Sequence, residues 1–202
     1  GEEIFGSLRV GLEARNNRYY TTRGTYFLWQ LDLGQSRSEY LKALLVRWNA
    51  DARGYLPLGW DKTILALNLR GGNIHTTVPY FSRFGLGGQS SLRGYPTDRY
   101  VGSMYYLTRL ELRQTVIDSL KLSLSFLRKS DLRCPDYSVS AGFVVFTEGG
   151  DLWREDHKWW GFRQTAGAGL RLILPPSIVA CLDVARPIAG GDWSFYLSLD
   201  QS

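Results

Sequence analysis

The chain has 202 residues, enough for a single domain over 1–202 built on one core. With 44% hydrophobic and 21% charged residues it is neither disordered nor a charge-dominated tail, and Lys+Arg 24 against Asp+Glu 19 is too mild an excess to require a nucleic-acid partner. The 22 Gly, the 14% aromatics with 7 Trp and the 1 Met suit strands and turns better than helices.

The longest apolar runs, such as Ala43-Leu44-Leu45-Val46 and Phe143-Val144-Val145-Phe146, fall far short of the about 20 residues a spanning helix needs. A spanning strand needs only about 9–11, with every second one apolar. No signal peptide is visible at Gly1, which fits a cytoplasmic protein or a trimmed chain. Cys134 and Cys181 are too few for a disulfide framework and lack metal-site spacing, leaving one bridge open.

Period-two alternation runs the length of the chain. In chain order, Leu8, Val10, Leu12 and Ala14 oppose Arg9, Gly11, Glu13 and Arg15. Phe27, Trp29, Leu31 and Leu33 oppose Tyr26, Gln30 and Asp32, and Leu44, Val46, Trp48 and Ala50 oppose Arg47, Asn49, Asp51 and Arg53. Leu65, Leu67 and Leu69 stand against Ala66, Asn68 and Arg70. Tyr106, Leu110 and Leu112 stand against Arg109, Glu111 and Arg113. Leu120, Leu122, Leu124 and Phe126 form a further candidate against Lys121, Ser123 and Ser125, although Ile117, Leu120, Leu124 and Leu127 also fit a short amphipathic helix. Val139, Ala141, Phe143 and Val145 face away from Ser138, Ser140 and Glu148, and strands near 163 to 173, 178 to 188 and 193 to 201 finish the chain. At about 10 residues each plus turns, the chain holds roughly ten strands.

A soluble antiparallel sheet with one wet face would show the same alternation. Here, however, Arg and Glu recur in mid-strand on the polar faces with both signs, while Trp and Tyr gather near strand ends. An apolar band facing lipid, aromatic girdles and a polar lumen produce that pattern, so the expected fold is an all-β transmembrane antiparallel barrel. Closure would also remove the sheet edges that lipid does not tolerate.

The longest interruption spans residues 73–102, where hairpin loops usually have about 2–5 residues. Its centre reads Gly87-Gly88-Gln89-Ser90-Ser91-Leu92-Arg93-Gly94-Tyr95. No Walker-type Lys follows, and neither GxGxxG nor GxSxG is completed, so phosphate-loop and serine-hydrolase readings fail.

This run, followed by a strand ending Leu110-Glu111-Leu112-Arg113, resembles the bacterial surface antigen barrel, the BamA- and TamA-type superfamily of outer-membrane assembly factors and two-partner secretion transporters. The resemblance implies that the Arg-Gly-aromatic tip, with Gly87, Gly88, Leu92, Arg93, Gly94 and Tyr95, folds into the lumen. Its arginine would meet an acid on a wall strand, here within Phe146-Thr147-Glu148-Gly149-Gly150, where Glu148 stands for the usual Asp; Phe146, Glu148 and Gly150 complete that motif. Ala166-Gly167-Ala168-Gly169-Leu170-Arg171-Leu172, Pro175 and the strand with Asp183, Ala185 and Pro187 extend the likeness, which is strong from about residue 60 onward. Trp193, Phe195, Leu197 and Leu199 resemble the terminal strand signal that assembly machinery reads, although Asp200-Gln201-Ser202 lacks the closing aromatic.

The polar face independently points Glu148 inward, where an Arg fork is its natural partner. The resemblance implies a sixteen-stranded barrel after periplasmic repeat domains. No repeat domain is present here, and the strands suffice for a portion of a larger barrel, a smaller closed barrel, or a partial one completed by another chain through its edges. A strand at 120–126 would reverse every later strand relative to the family.

No catalytic residue, metal site or cofactor is expected. His75 and His157 lack ligand-spaced neighbours, and Asp151, Glu155 and Asp156 lie in a tryptophan-rich loop whose Trp153, Trp159 and Trp160 suit the membrane interface. The expected function is non-enzymatic insertion or translocation of polypeptides in a cell outer membrane, with Arg93 bracing the wall at Glu148. Partners would be membrane lipid, a polypeptide client or passenger, the assembly machinery and a second copy meeting the barrel edges. The alternatives are the barrel anchor of a patatin-like autotransporter enzyme and a soluble β-domain binding an acidic partner.

Overall fold

The computed structural model describes all residues except 19, 40, 61, 123–136, 155–157, 175–177 and 201–202. The alternating segments become strands of one antiparallel sheet: β1 (Glu2–Glu13), β2 (Gly24–Arg37), β3 (Lys42–Pro57), β4 (Thr63–Ile74), β7 (Met104–Leu122), β8 (Tyr137–Trp153), β9 (Arg163–Leu174), β10 (Ile178–Pro187) and β11 (Ser194–Asp200). These nine strands pair in sequence order, with β1 and β11 at the two ends of the sheet. Two three-residue strands, β5 (Phe84–Leu86) and β6 (Tyr100–Gly102), form a separate hairpin inside the long loop, preceded by a 3-10 turn at Tyr80–Ser82.

Side-chain burial follows the alternation. Leu110, Phe143, Leu170, Leu182 and Leu197 lie on one face and are 42%, 43%, 60%, 48% and 76% exposed, whereas Glu111, Glu148 and Asp183 on the other are at most 4% exposed. The apolar surface therefore faces outward and the ionised groups inward, the inverse of a soluble domain. Among the described residues no helix is long and apolar enough to cross a membrane, so any crossing is by strands. Several strands exceed the span requirement: β7 has 19 residues and β8 has 17, against the about 9–11 that a bilayer needs.

Two small apolar clusters line the inner side. Leu45, Ile74 and Val78 pack with Phe84 beneath the loop, and Val144, Phe146 and Ala185 pack with Tyr196 beneath its tip.

The structure corrects three local expectations. Residues 120–122 end β7, which pairs directly with β8, so no additional strand intervenes in the sheet; residues 123–126 lie outside the described part. The pattern had suggested a new strand because register shifts between Thr115 and Ile117 and between Ile117 and Leu120 interrupt the ladder within a single long strand. Val139, expected outside with Phe143, is buried beside this irregular stretch. Asp151 and Trp153 belong to β8 rather than to a loop, and the Asp151 carboxylate accepts the Leu152 N–H at 2.7 Å.

Candidate functional site

Register brings the site together. Arg109 on β7 stands opposite Glu148 on β8, Glu111 opposite Phe146, and Asp183 on β10 opposite Gly169 on β9. Because all these side chains share the inner face, three carboxylates from three strands converge on one small region.

Into that region the β5–β6 hairpin lowers its tip. Gly88 N–H donates to Tyr95 O at 2.9 Å, and Ser91 Oγ accepts from Gly87 N–H and donates to Gly87 O, so the turn is fastened internally. Gly87, Gly88 and Gly94 have φ of 125°, 86° and 97°, which L side chains rarely adopt. At Gly94 there is a second requirement, because a Cβ would lie 3.2–3.3 Å from the Arg186 backbone.

Leu92 and Arg93 are 0% and 3% exposed. Arg93 N–H donates to Glu148 Oε2 at 2.6 Å and its Nε donates to Glu148 Oε1 at 2.7 Å, so backbone and side chain of one residue hold both oxygens of one carboxylate. Nη1 donates to Asp183 Oδ2 at 2.6 Å and Nη2 to Glu111 Oε1 at 3.0 Å. The guanidinium carbon lies 3.4 Å from the Phe146 ring centre, a cation–π contact worth about 2 kcal/mol where water is excluded. Further arginines balance the acids. Arg109 Nε comes within 2.6 Å of Glu148 without hydrogen-bond alignment, Arg113 grips Glu111, and Arg171 grips Asp183.

The terminal strand joins the same contact. Gly94 N–H donates to the Tyr196 hydroxyl at 2.9 Å, that hydroxyl donates to Tyr95 O at 3.4 Å, and Ser194 Oγ donates to Gly94 O at 3.4 Å. On the opposite side Arg70 Nη1 reaches Ser90 O and Arg109 Nη2 reaches Ser91 O. Tyr95 itself stacks edge-on to Tyr100, which meets Trp160; burial, then the neighbouring Tyr100, pushes the Tyr95 phenol up. Trp160 donates to Val101 O and packs on Tyr100 of the hairpin, whereas Trp159 is 39% exposed.

Arg93 and Glu148 are thus adjacent, with Phe146 under the guanidinium. Gly150 lies two residues beyond Glu148 on the same face, backed by the β7 backbone rather than by the arginine. Trp193 precedes β11, and Phe195, Leu197 and Leu199 alternate along it with Tyr196, all four of Trp193, Phe195, Leu197 and Leu199 at least 57% exposed; Leu199 borders the cavity beside the cage. Sequence reading missed Glu111, Asp183, Arg109 and Tyr196 as partners of the tip. Their shared inner face was visible, but not their convergence. Cys181 is half-buried on the inner side near Arg171 and Asp183, His75 is exposed just after β4, and Cys134 and His157 lie outside the described part. No cluster of metal-ligating side chains occurs among the described residues.

The Omp85 superfamily domain matches residues 2–192, so the family likeness is not confined to the part from about residue 60 onward but takes in the N-terminal strands as well. A crystal structure of BamA from Haemophilus ducreyi lacking POTRA domains 1-3 is similar in fold, with a TM-score of 0.67 at 17% identity. The match covers 96% of this chain and 42% of that one. No curated protein matches the sequence.

Proposed function

This chain belongs to the Omp85 superfamily of outer-membrane β-barrels, and on that premise we propose that it serves the insertion or translocation of polypeptides at an outer membrane, without chemistry of its own, with Arg93 bracing the wall. The observation that carries this reading is the engagement of one loop arginine by Glu148, Glu111 and Asp183 at 2.6–3.0 Å while it is 3% exposed. A guanidinium so placed ties three wall strands to one another and to the loop, holding the inner face in one arrangement while a client passes or pairs beside it. The client and the assembly machinery are the partners of this reading, and membrane lipid covers the outer face.

Removing either member of a buried ion pair strands the other, which costs about 3–5 kcal/mol. Arg93→Ala, Glu148→Ala and the double variant, compared for unfolding in lipid and for client insertion into vesicles, test the bracing role. A double variant less damaged than the two single losses combined is expected; simple additivity in both measurements would refute the coupling.

A further inference from the structure

Beside the Arg93 cage, register sets Glu13, Tyr26, Arg53, Asn68 and Arg109 in one row across β1, β2, β3, β4 and β7. Around this row lies a cavity of about 330 Å³ lined by Arg15, Arg18, Arg53, Arg70, Arg109 and Arg113 together with a single acid, Glu111.

Three of these arginines are built alike. Glu13-Ala14-Arg15, Asp51-Ala52-Arg53 and Glu111-Leu112-Arg113 each set an acid two residues ahead of an arginine. In each pair the acid takes the Nε and Nη2 edge: 2.7 and 2.7 Å for Arg15, 3.1 and 2.7 Å for Arg53, 2.9 and 2.6 Å for Arg113. A guanidinium carries five N–H donors in a planar fork, so one edge remains. Among the described residues no second carboxylate bonds to any of the three, and beyond its acid Arg15 bonds only to the neutral Tyr55 hydroxyl. Tyrosines fix the planes: Arg15 and Arg53 lie 4.7 and 5.1 Å from the Tyr26 ring centre, and Arg113 lies 5.5 Å from that of Tyr55.

Charge points the same way. Across cavity and cage, eight arginines (the six above with Arg93 and Arg171) meet five carboxylates: Glu13, Asp51, Glu111, Glu148 and Asp183. A positive surplus held in a partly water-excluded recess concentrates anions, and planar Arg forks match phosphate-type oxygens. The volume falls at the small end of ligand pockets, about 300–1,000 Å³. We propose that this cavity binds a multiply charged oxyanion of the phosphate class, gripped by the remaining edges of Arg15, Arg53 and Arg113. The cavity adjoins the bracing cage through Glu111, Arg109 and Arg113, but Arg15 and Arg53 bond to Glu13 and Asp51 and not to Arg93 or its acids, so changes at those two leave the cage contacts in place.

The test is calorimetric titration of the full chain, folded in detergent micelles, with inorganic pyrophosphate while sodium chloride keeps ionic strength constant. Saturable binding at one site is expected. Arg15→Gln with Arg53→Gln should weaken it about a hundredfold, a factor of about ten for each charged contact. Arg186→Gln, exposed and outside the cavity, should leave the Kd unchanged. No saturation beyond the chloride background, or an unaltered Kd in the double variant, overturns the proposal; so does binding of oligoglutamate in place of pyrophosphate, which would mark a site for acidic polypeptide. If the double variant does not fold, Arg15→Lys with Arg53→Lys decides, because the charge stays while the planar fork is lost: weaker binding supports the site and equal binding overturns it.

Discussion

At Arg93 the side-chain type matters as much as its charge. The fork addresses three carboxylates in different directions while its flat face rests on Phe146. Lysine offers a point charge on a flexible stem and no plane, so it can satisfy one acid well but not three at once. Arg93→Lys should therefore lower stability by about 1–3 kcal/mol despite an unchanged formal charge. Denaturant unfolding of the lipid-embedded chain reads this loss; wild-type stability would show that charge alone suffices. The neighbouring Gly94 combines φ 97° with an Arg186 backbone 3.2 Å from where a Cβ would sit. Gly94→Ala should accordingly cost about 1–3 kcal/mol through backbone strain and displacement of the tip, visible in the same unfolding curves.

Between elements, the hairpin tip fastens the end of the sheet. Among the described residues β11 pairs with β10 alone, so its hold on the molecule rests on one ladder plus the Tyr196 hydroxyl on Gly94 and Tyr95 and the Ser194 hydroxyl on Gly94 O. Tyr196→Phe keeps the ring against Val144, Phe146 and Ala185 but leaves the Gly94 N–H without its acceptor. Amide exchange in β11 should speed up by an amount corresponding to about 1 kcal/mol, with β8 and β9 unaffected. Equal protection in both forms would mean that the strand is held by its ladder alone. The strands and their two faces were legible from period two, since residues such as Leu170 and Arg171 or Leu182 and Asp183 alternate between them, with Val139 the exception beside the irregular end of β7. The long β7 was not, because two register shifts erase the phase that distinguishes one continuing strand from two. The Arg93–Glu148 pair could be read from an inward acid and a loop motif. The roles of Glu111 and Asp183 could not, because alternation fixes a side chain's face, whereas which faces meet depends on register between strands.

For the whole molecule, the distribution of polarity is inverted. Phe143, Leu170, Leu182 and Leu197 lie in register across β8 to β11 and form a continuous apolar row on the outer face. On the other face Glu148, Asp183, Arg93 and Arg171 are nearly sealed from solvent by one another. Water would solvate the first surface poorly, and hydrocarbon would not tolerate the second, so only a membrane outside with a polar interior suits both. A single charge then has a position-dependent cost. Leu170→Lys, in the middle of the outer row at 60% exposure, should destabilise the lipid-embedded chain by about 2–4 kcal/mol. Asn49→Lys, on the inner face beside Asp51, should change it by less than about 1 kcal/mol, since the ammonium stays in a wet cavity near an acid. Paired unfolding measurements in bilayers decide between the faces. If Asn49→Lys proved the costlier change, the assignment of outside and inside would be reversed, and the arginine cavity with it.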